Sequence, residues 1–367
     1  MQRFKEEAIG EFQRGRVTEA KRIFHKALDE FKDKDLDSSS RIQKVSILST
    51  LAIVTANEDL REGQKVAEEA VREAKGYPHR YTLNAMHTLA SCFSRQALKE
   101  HAAHPNSATS LLLFRQAEKV LRDTCALIDS VPPEDVGNEF KARVLEDLGN
   151  ALSNQEKWAE AFHVYKICLM FRVAWSPDAV SVEKPPPEGE ADFWFGYALT
   201  ACRLDQMKEG MLAYHRALIL WYHDPKQVER VCQEVSEFAE KLALDADAYS
   251  YAIKLCRKAA DILVHIHKDQ AAYHIAAAYY FLGYLHQRKK DRRMDAIGYY
   301  EKAHQLRYQL TLYNWELADR CLVYLARLYK EHGKLKEAEE LLGQRSVQFK
   351  GKDGEVLLQL PWDKDGE

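Results

Sequence analysis

The amino-acid sequence predicts an all-α protein, a solenoid of about eight helical hairpins that ends in a short non-helical C-terminal tail. Between positions 143 and 171, apolar residues recur every three or four positions in two runs that a polar corner separates. This spacing places them along one face of each of two helices. The arrangement returns along the chain, and a small residue opens each second helix. These small residues are Ala20, Gly63, Ala117, Ala161, Gly210, Ala252, Ala296 and Ala338.

The composition is that of a folded protein without a disulfide framework. Of the 367 residues 30% are charged, and the formal net charge of −3 gives no reason to expect nucleic acid or an anionic membrane as a partner. The seven cysteines include no closely spaced pair, which favours a reduced, intracellular chain. The start lacks the apolar core of a signal peptide, and the longest apolar run, 275–285, is too short to span a membrane. We expect a cytoplasmic protein, with the nucleus as the alternative compartment.

The central hairpin resembles a tetratricopeptide repeat (TPR). Its pattern is Leu148-Gly149, Leu152, Trp158, Ala161, Tyr165 and Cys168-Leu169. Successive small residues lie 42 to 54 positions apart, more than the period of about 34 that is usual for this repeat. The chain is therefore similar to the longer variants found in kinesin light chain. The resemblance covers roughly residues 1–345 and implies a right-handed solenoid whose first helices line a concave groove.

The repeats divide into two half-arrays, 1–175 and 191–345. The segment between them, 176–190, contains four prolines, three of them consecutive, and such runs favour an extended polyproline II conformation. We expect it to act as an insert or hinge. The remainder, 346–367, contains two β-prone runs around a Lys-Asp-Gly turn and predicts a short hairpin.

No sequence motif indicates catalysis. The chain contains no phosphate-binding loop, no dinucleotide-binding glycine motif, no HExxH or GxSxG motif and no EF-hand loop. We therefore predict a non-catalytic protein without a cofactor or a metal site. The basic corner at 288–293 is interpreted as a solvated loop, with a nuclear address or a phosphate contact as the alternative.

The resemblance also implies which side chains face the groove. In the fourth and fifth repeats, these are Arg143, Asn150, Asn154, Phe195, Leu199 and Arg203. In the seventh and eighth repeats, they are Tyr280, Tyr284, Arg288, Arg320 and Arg327. Aromatic side chains and arginines suit a peptide that carries acidic groups, because guanidinium pairs with carboxylate in bidentate fashion. Two alternatives are that Tyr280 and Tyr284 pack against the neighbouring repeat, and that the arginines hold the protein's own acidic end, 363–367.

Two binding modes known in this family do not fit the sequence. A clamp for a partner's terminal carboxylates needs a lysine and an asparagine, and the fourth repeat has Glu146 in place of the lysine. The asparagine ladder of kinesin-light-chain-like arrays is also absent.

The sequence therefore predicts an interaction scaffold or adaptor that binds a peptide segment of a partner protein in its groove. One alternative is a regulatory or sensor module whose curvature changes when it binds a ligand. An enzyme is the disfavoured alternative. Because no capping helix precedes the first repeat, the N-terminal end is expected to fray or to pair with another copy or another protein.

Overall fold

In the computed structural model, the structure describes residues 2–32, 36–77, 79–105, 107–132, 136–172, 189–267, 271–306, 310 and 314–343. Within these ranges the regular elements are helices that pack as successive hairpins, which confirms the predicted fold class. The chain divides into two compact units, Met1–Ala179 (unit 1) and Val180–Glu367 (unit 2).

Unit 1 contains four hairpins. Its helices are α1 (Gln2–Gln13), α2 (Val17–Asp29), α3 (Ser38–Ala56), α4 (Leu60–Glu73), α5 (Arg80–Ala103), α6 (Ala108–Ile128), α7 (Asn138–Ser153) and α8 (Trp158–Phe171). The two helices of a hairpin pack on each other, and each second helix also packs on the first helix of the next hairpin. Neighbouring hairpins thus bury one another's apolar faces, as in repeat proteins generally.

Short-range signals fix where these helices begin and end. The side chains of Asp37 and Asp59 accept hydrogen bonds of 2.8 Å from the backbone N–H groups of Ser40 and Arg61, which caps α3 and α4. Gly76 follows α4 with φ of 86°, a left-handed conformation that residues with a Cβ rarely adopt.

Unit 2 contains the remaining hairpins. Its helices are α9 (Glu190–Arg203), α10 (Met207–Leu220), α11 (Pro225–Glu237), α12 (Ala239–Leu244), α13 (Ala246–Ile266), α14 (Ala272–Arg288), α15 (Arg293–Gln305), α16 (Trp315–Glu331) and α17 (Leu335–Gly343). Asp224 caps α11, whose first residue is Pro225. The short helix α12 between α11 and α13 is an element that the sequence pattern does not predict.

The small residues that define the repeats are buried in every hairpin. The six alanines among them have no exposed surface, and Gly63 and Gly210 are buried as well. A Cβ added to Gly149 of α7 would lie 2.7 Å from the Tyr165 ring of α8, and one added to Gly283 of α14 would lie 2.8 Å from the Tyr300 ring of α15. The hairpins therefore close by placing a large side chain of one helix against a glycine of the other.

The expected insert 176–190 and tail 346–367 lie outside the described residues, apart from Gly189 and Glu190. Glu190 belongs to α9, so the helix begins within the span predicted for the insert.

The cysteines are single thiols inside the repeats. Six of the seven are buried and Cys125 is partly exposed. Burial raises the pKa of both Cys202 and Cys321 to about 12, so these thiols stay protonated and unreactive in the folded protein.

Candidate functional site

A cavity of about 390 Å³ opens in unit 2. It is bounded by α11, α12, α14 and α16, so it lies among the first helices of three successive hairpins. Its lining residues are Glu229, Gln233, Ser236, Glu237, Ala239, Glu240, Tyr273, Tyr280, Phe281, Tyr284, Asn314, Glu316, Leu317, Arg320 and Tyr324. The volume falls within the range of about 300–1,000 Å³ that is usual for ligand sites.

Three tyrosines form one wall of this cavity. The Tyr280 ring stacks on the rings of Tyr284 and Tyr324, each with centroids 6.4 Å apart and an interplanar angle of 18°. We call Tyr280, Tyr284 and Tyr324 the tyrosine cluster. Stacked rings have few rotatable bonds and offer flat apolar faces, which makes them good anchors for a bound segment.

Tyr280 is the most buried member of the tyrosine cluster, with 4% of its surface exposed. Its hydroxyl makes no hydrogen bond to any residue that the structure describes. Burial raises the pKa of Tyr280 well above its ordinary value, so the hydroxyl stays protonated. A protonated hydroxyl both donates and accepts hydrogen bonds. It can therefore serve a polar group placed in the cavity.

Four glutamates also line the cavity. Glu229 and Glu237 lie on α11, Glu240 on α12 and Glu316 on α16. Glu240 forms an ion pair with Arg288 at 3.1 Å, and Glu229 contacts His274. Four carboxylates face one lining guanidinium, that of Arg320. The cavity therefore has a negative charge.

The structure brings the predicted groove residues of the last two hairpins together. Tyr280, Tyr284 and Arg320 line the cavity. Arg288 donates a hydrogen bond of 2.5 Å to the Tyr284 hydroxyl, and the Arg327 guanidinium lies 5.8 Å from the Tyr324 ring centroid. Tyr280 is buried within the tyrosine cluster, because rings from α14 and α16 cover it, as expected in the alternative in which it packs against the neighbouring repeat.

The predicted groove residues of α9 are not at this cavity. Phe195 was expected to be exposed but is 5% exposed, since the rings of Tyr214 and Trp221 pack against it and Arg230 covers its face at 4.2 Å. Leu199 is half-buried. The Arg203 guanidinium lies 5.2 Å from the centroid of the Phe238 ring.

The predicted groove residues of unit 1 serve their own hairpin. Asn150 accepts a hydrogen bond of 2.6 Å from the buried Tyr165 hydroxyl. Asn154 donates to the Asn150 carbonyl at 2.8 Å, and Arg143 pairs with Glu139 at 3.0 Å. The Tyr165–Asn150 hydrogen bond joins α8 to α7, and the other two contacts lie within α7 and its C-terminal end.

The sequence pattern does not predict the acidic lining of the cavity. The sixth repeat is the most degenerate copy, and the resemblance assigns no groove residue to it. A signal was present, because Glu229, Gln233, Ser236 and Glu237 are separated by steps of four, three and one positions. That spacing places polar residues along one face of a helix.

Neither a metal centre nor a membrane span is found in the part of the chain that the structure describes. No group of three or more His, Cys, Asp or Glu side chains there is placed to hold a metal ion. No helix there is both long and apolar enough to cross a lipid bilayer.

The packing inside the hairpins indicates their type. In the fourth and seventh hairpins, a glycine of the first helix lies against a tyrosine of the second, and every second helix carries its small residue in the interface. This packing is similar to that expected of TPR-like repeats. No protein-family model matches the sequence, and no curated protein matches it.

Several solved structures are similar to this chain. TPR-like repeats described as those of a kinesin light chain from Podospora anserina are 12% identical, with a TM-score of 0.43 over 64% of this chain and 99% of that one. BtubC from P. vanneervenii is 16% identical, with a TM-score of 0.40 over 72% and 89%. A Rap protein in complex with competence and sporulation factor is 15% identical, with a TM-score of 0.40 over 82% and 76%. The assignment of the hairpins rests on their packing and not on these TM-scores.

Proposed function

We propose that this protein is a non-catalytic scaffold that binds an extended peptide segment of a partner protein in the cavity of unit 2. The observation that supports this proposal is the tyrosine cluster facing an open cavity of about 390 Å³ among the first helices of three TPR-like hairpins. Aromatic anchors in a concave site supply much of the binding energy in peptide complexes.

The negative charge of the cavity argues against the acidic peptide that the predicted groove arginines suggest. Arg288 is already paired with Glu240 at 3.1 Å, and Arg327 lies over the Tyr324 ring. An acidic peptide would place its carboxylates beside Glu237 and Glu316, where like charges repel. The cavity therefore favours a segment without acidic groups at this point.

The experiment is a selection from a phage-displayed library of random dodecapeptides with the purified protein as bait. Each selected peptide is then measured against Gln233→Trp, which fills the cavity from an exposed position of α11. The matched control is Gln116→Trp, at an exposed position of α6 in unit 1. We expect binding to fall at least tenfold in Gln233→Trp and to persist in Gln116→Trp. Peptides that bind both variants equally would overturn the proposal, as would a failure to select any peptide.

A further inference from the structure

We infer that the group received by the cavity is a cationic side chain, arginine or lysine, of the partner segment. This inference rests on the proposed function and names the chemistry of its ligand. It starts from the excess of carboxylates, since four glutamates and one arginine line the cavity. Opposite charges attract strongly where partial burial excludes water.

The four carboxylates differ in their partners among the described residues. Glu240 forms an ion pair with Arg288, and Glu229 contacts His274. Glu237 and Glu316 are exposed at the mouth of the cavity and form no ion pair with any residue within the described ranges. Glu237 lies on α11 and Glu316 on α16, so they approach the cavity from two sides. A cation placed between them would gain two partners.

The protein itself already places a cation against the tyrosine cluster, since the Arg288 guanidinium lies 4.8 Å from the centroid of the Tyr284 ring. Such contacts are favourable because a cation is attracted by the ring's negative π surface. The Tyr280 ring is stacked on the rings of Tyr284 and Tyr324, so the main attraction for a further cation comes from the carboxylates.

Tyr280 provides the third contact. Its side chain is more than nine-tenths buried and lines the cavity, and its hydroxyl has no hydrogen-bond partner in the described part of the chain. The Tyr280 hydroxyl is open to the cavity, so a ligand's N–H group can donate a hydrogen bond to it. Guanidinium and ammonium groups carry only donors, so the Tyr280 oxygen would act as the acceptor.

The test uses synthetic, fluorescein-labelled versions of those selected peptides whose binding Gln233→Trp abolishes. In the double variant Glu237→Gln/Glu316→Gln, we expect affinity to fall about tenfold or more. The matched control, Glu339→Gln/Glu340→Gln, removes the same charge at exposed positions of α17 outside the cavity. The affinity of this control variant for the peptides should stay within about twofold of the wild-type value. Both double variants change exposed side chains only, and circular dichroism verifies that they fold.

The peptides themselves supply the complementary measurement. Replacing their arginines by citrulline, which keeps the shape and removes the charge, should weaken binding about tenfold. Raising the salt concentration should also weaken the charged peptide more than its citrulline form. Selected peptides that are acidic or apolar, or that bind Glu237→Gln/Glu316→Gln as tightly as wild type, would overturn this inference while leaving the proposed function standing. Peptides insensitive to Gln233→Trp would instead remove the proposed function.

Discussion

At the scale of single residues, two tyrosines at equivalent places in their hairpins differ in one hydrogen bond. The Tyr165 hydroxyl donates to Asn150, fifteen positions earlier. The residue fifteen positions before Tyr214 is Leu199, and the buried Tyr214 hydroxyl has no partner among the described residues. An asparagine on the first helix thus satisfies a buried hydroxyl in one repeat, and the fifth repeat goes without it.

The variant Asn150→Leu should therefore lower the free energy of unfolding by about 0.5–1.5 kcal/mol, because it removes the hydrogen bond that the buried Tyr165 hydroxyl donates to Asn150. The reverse change, Leu199→Asn, offers Tyr214 an acceptor and exchanges some apolar burial for it, so its effect should be smaller. Urea denaturation followed by circular dichroism measures both. Equal losses of unfolding free energy in the two variants would contradict the role assigned to Asn150.

The buried side chain of His286 makes folding stability depend on pH. His286 is 2% exposed and shares a hydrogen bond of 3.0 Å with the Tyr249 hydroxyl. Burial lowers the pKa of His286 from 6.5 to about 4, opposed by Asp295 and assisted by Arg257 and Arg292. The unfolded chain therefore binds a proton at this site at a higher pH than the folded protein does. Folding stability should fall as the pH falls from about 6.5 to about 4.

The contribution of His286 over that range is at most about 3 kcal/mol. Urea midpoints measured between pH 7.5 and pH 4.5 should show a flatter pH dependence in His286→Asn than in the wild type. The control for the loss of a histidine is His25→Asn, at an exposed position of α2. If the urea midpoint of His286→Asn depends on pH as steeply as that of the wild type, groups other than His286 cause the loss of stability in acid.

At the scale of the helical hairpin, glycine in a first helix decides how closely the second helix approaches. Gly149→Ala would place a Cβ 2.7 Å from the Tyr165 ring. Overpacking of this kind costs about 1–3 kcal/mol. The control is Gly298→Ala in α15, where an added Cβ would meet nothing within 4 Å. It should stabilise the protein by about 0.5–1 kcal/mol, because alanine is the better helix former. Thermal unfolding measures both variants. If their midpoint temperatures shift in the same direction, the packing argument is refuted.

Hairpins of this kind are predictable from sequence because their signal is local. The small residue that opens each second helix recurs in the sequence every 42 to 54 positions, and the structure buries it in every hairpin. The cavity was harder to predict, because its walls come from three hairpins. Tyr280, Tyr284 and Arg320 were selected by position, but Glu237 and Glu316 were not. The exposure of Tyr280 depends on Tyr324, which lies on another helix, α16. A sequence pattern within α14 cannot reveal that contact.

At the scale of the whole molecule, every lining residue of the cavity belongs to unit 2. A fragment of residues 180–367 should therefore bind the selected peptides with an affinity within about threefold of the full chain, provided that circular dichroism shows it folded. Repeats stabilise one another mainly through nearest neighbours, so the fragment should lose stability mainly at its new N-terminal end. A folded fragment that no longer binds would indicate that unit 1 contributes to the site.

The buried thiols allow the order in which the array opens to be followed in time. Cys92, Cys168, Cys202, Cys232, Cys256 and Cys321 are distributed over five of the hairpins. Alkylating reagents attack the thiolate and need access, so each cysteine reacts only when its own repeat opens. Mass spectrometry of timed alkylation would then give the opening rate of each repeat from the native chain, without an introduced probe. A bound segment should slow the modification of Cys321, which lies on α16, one of the helices that line the cavity, and leave Cys92 unchanged.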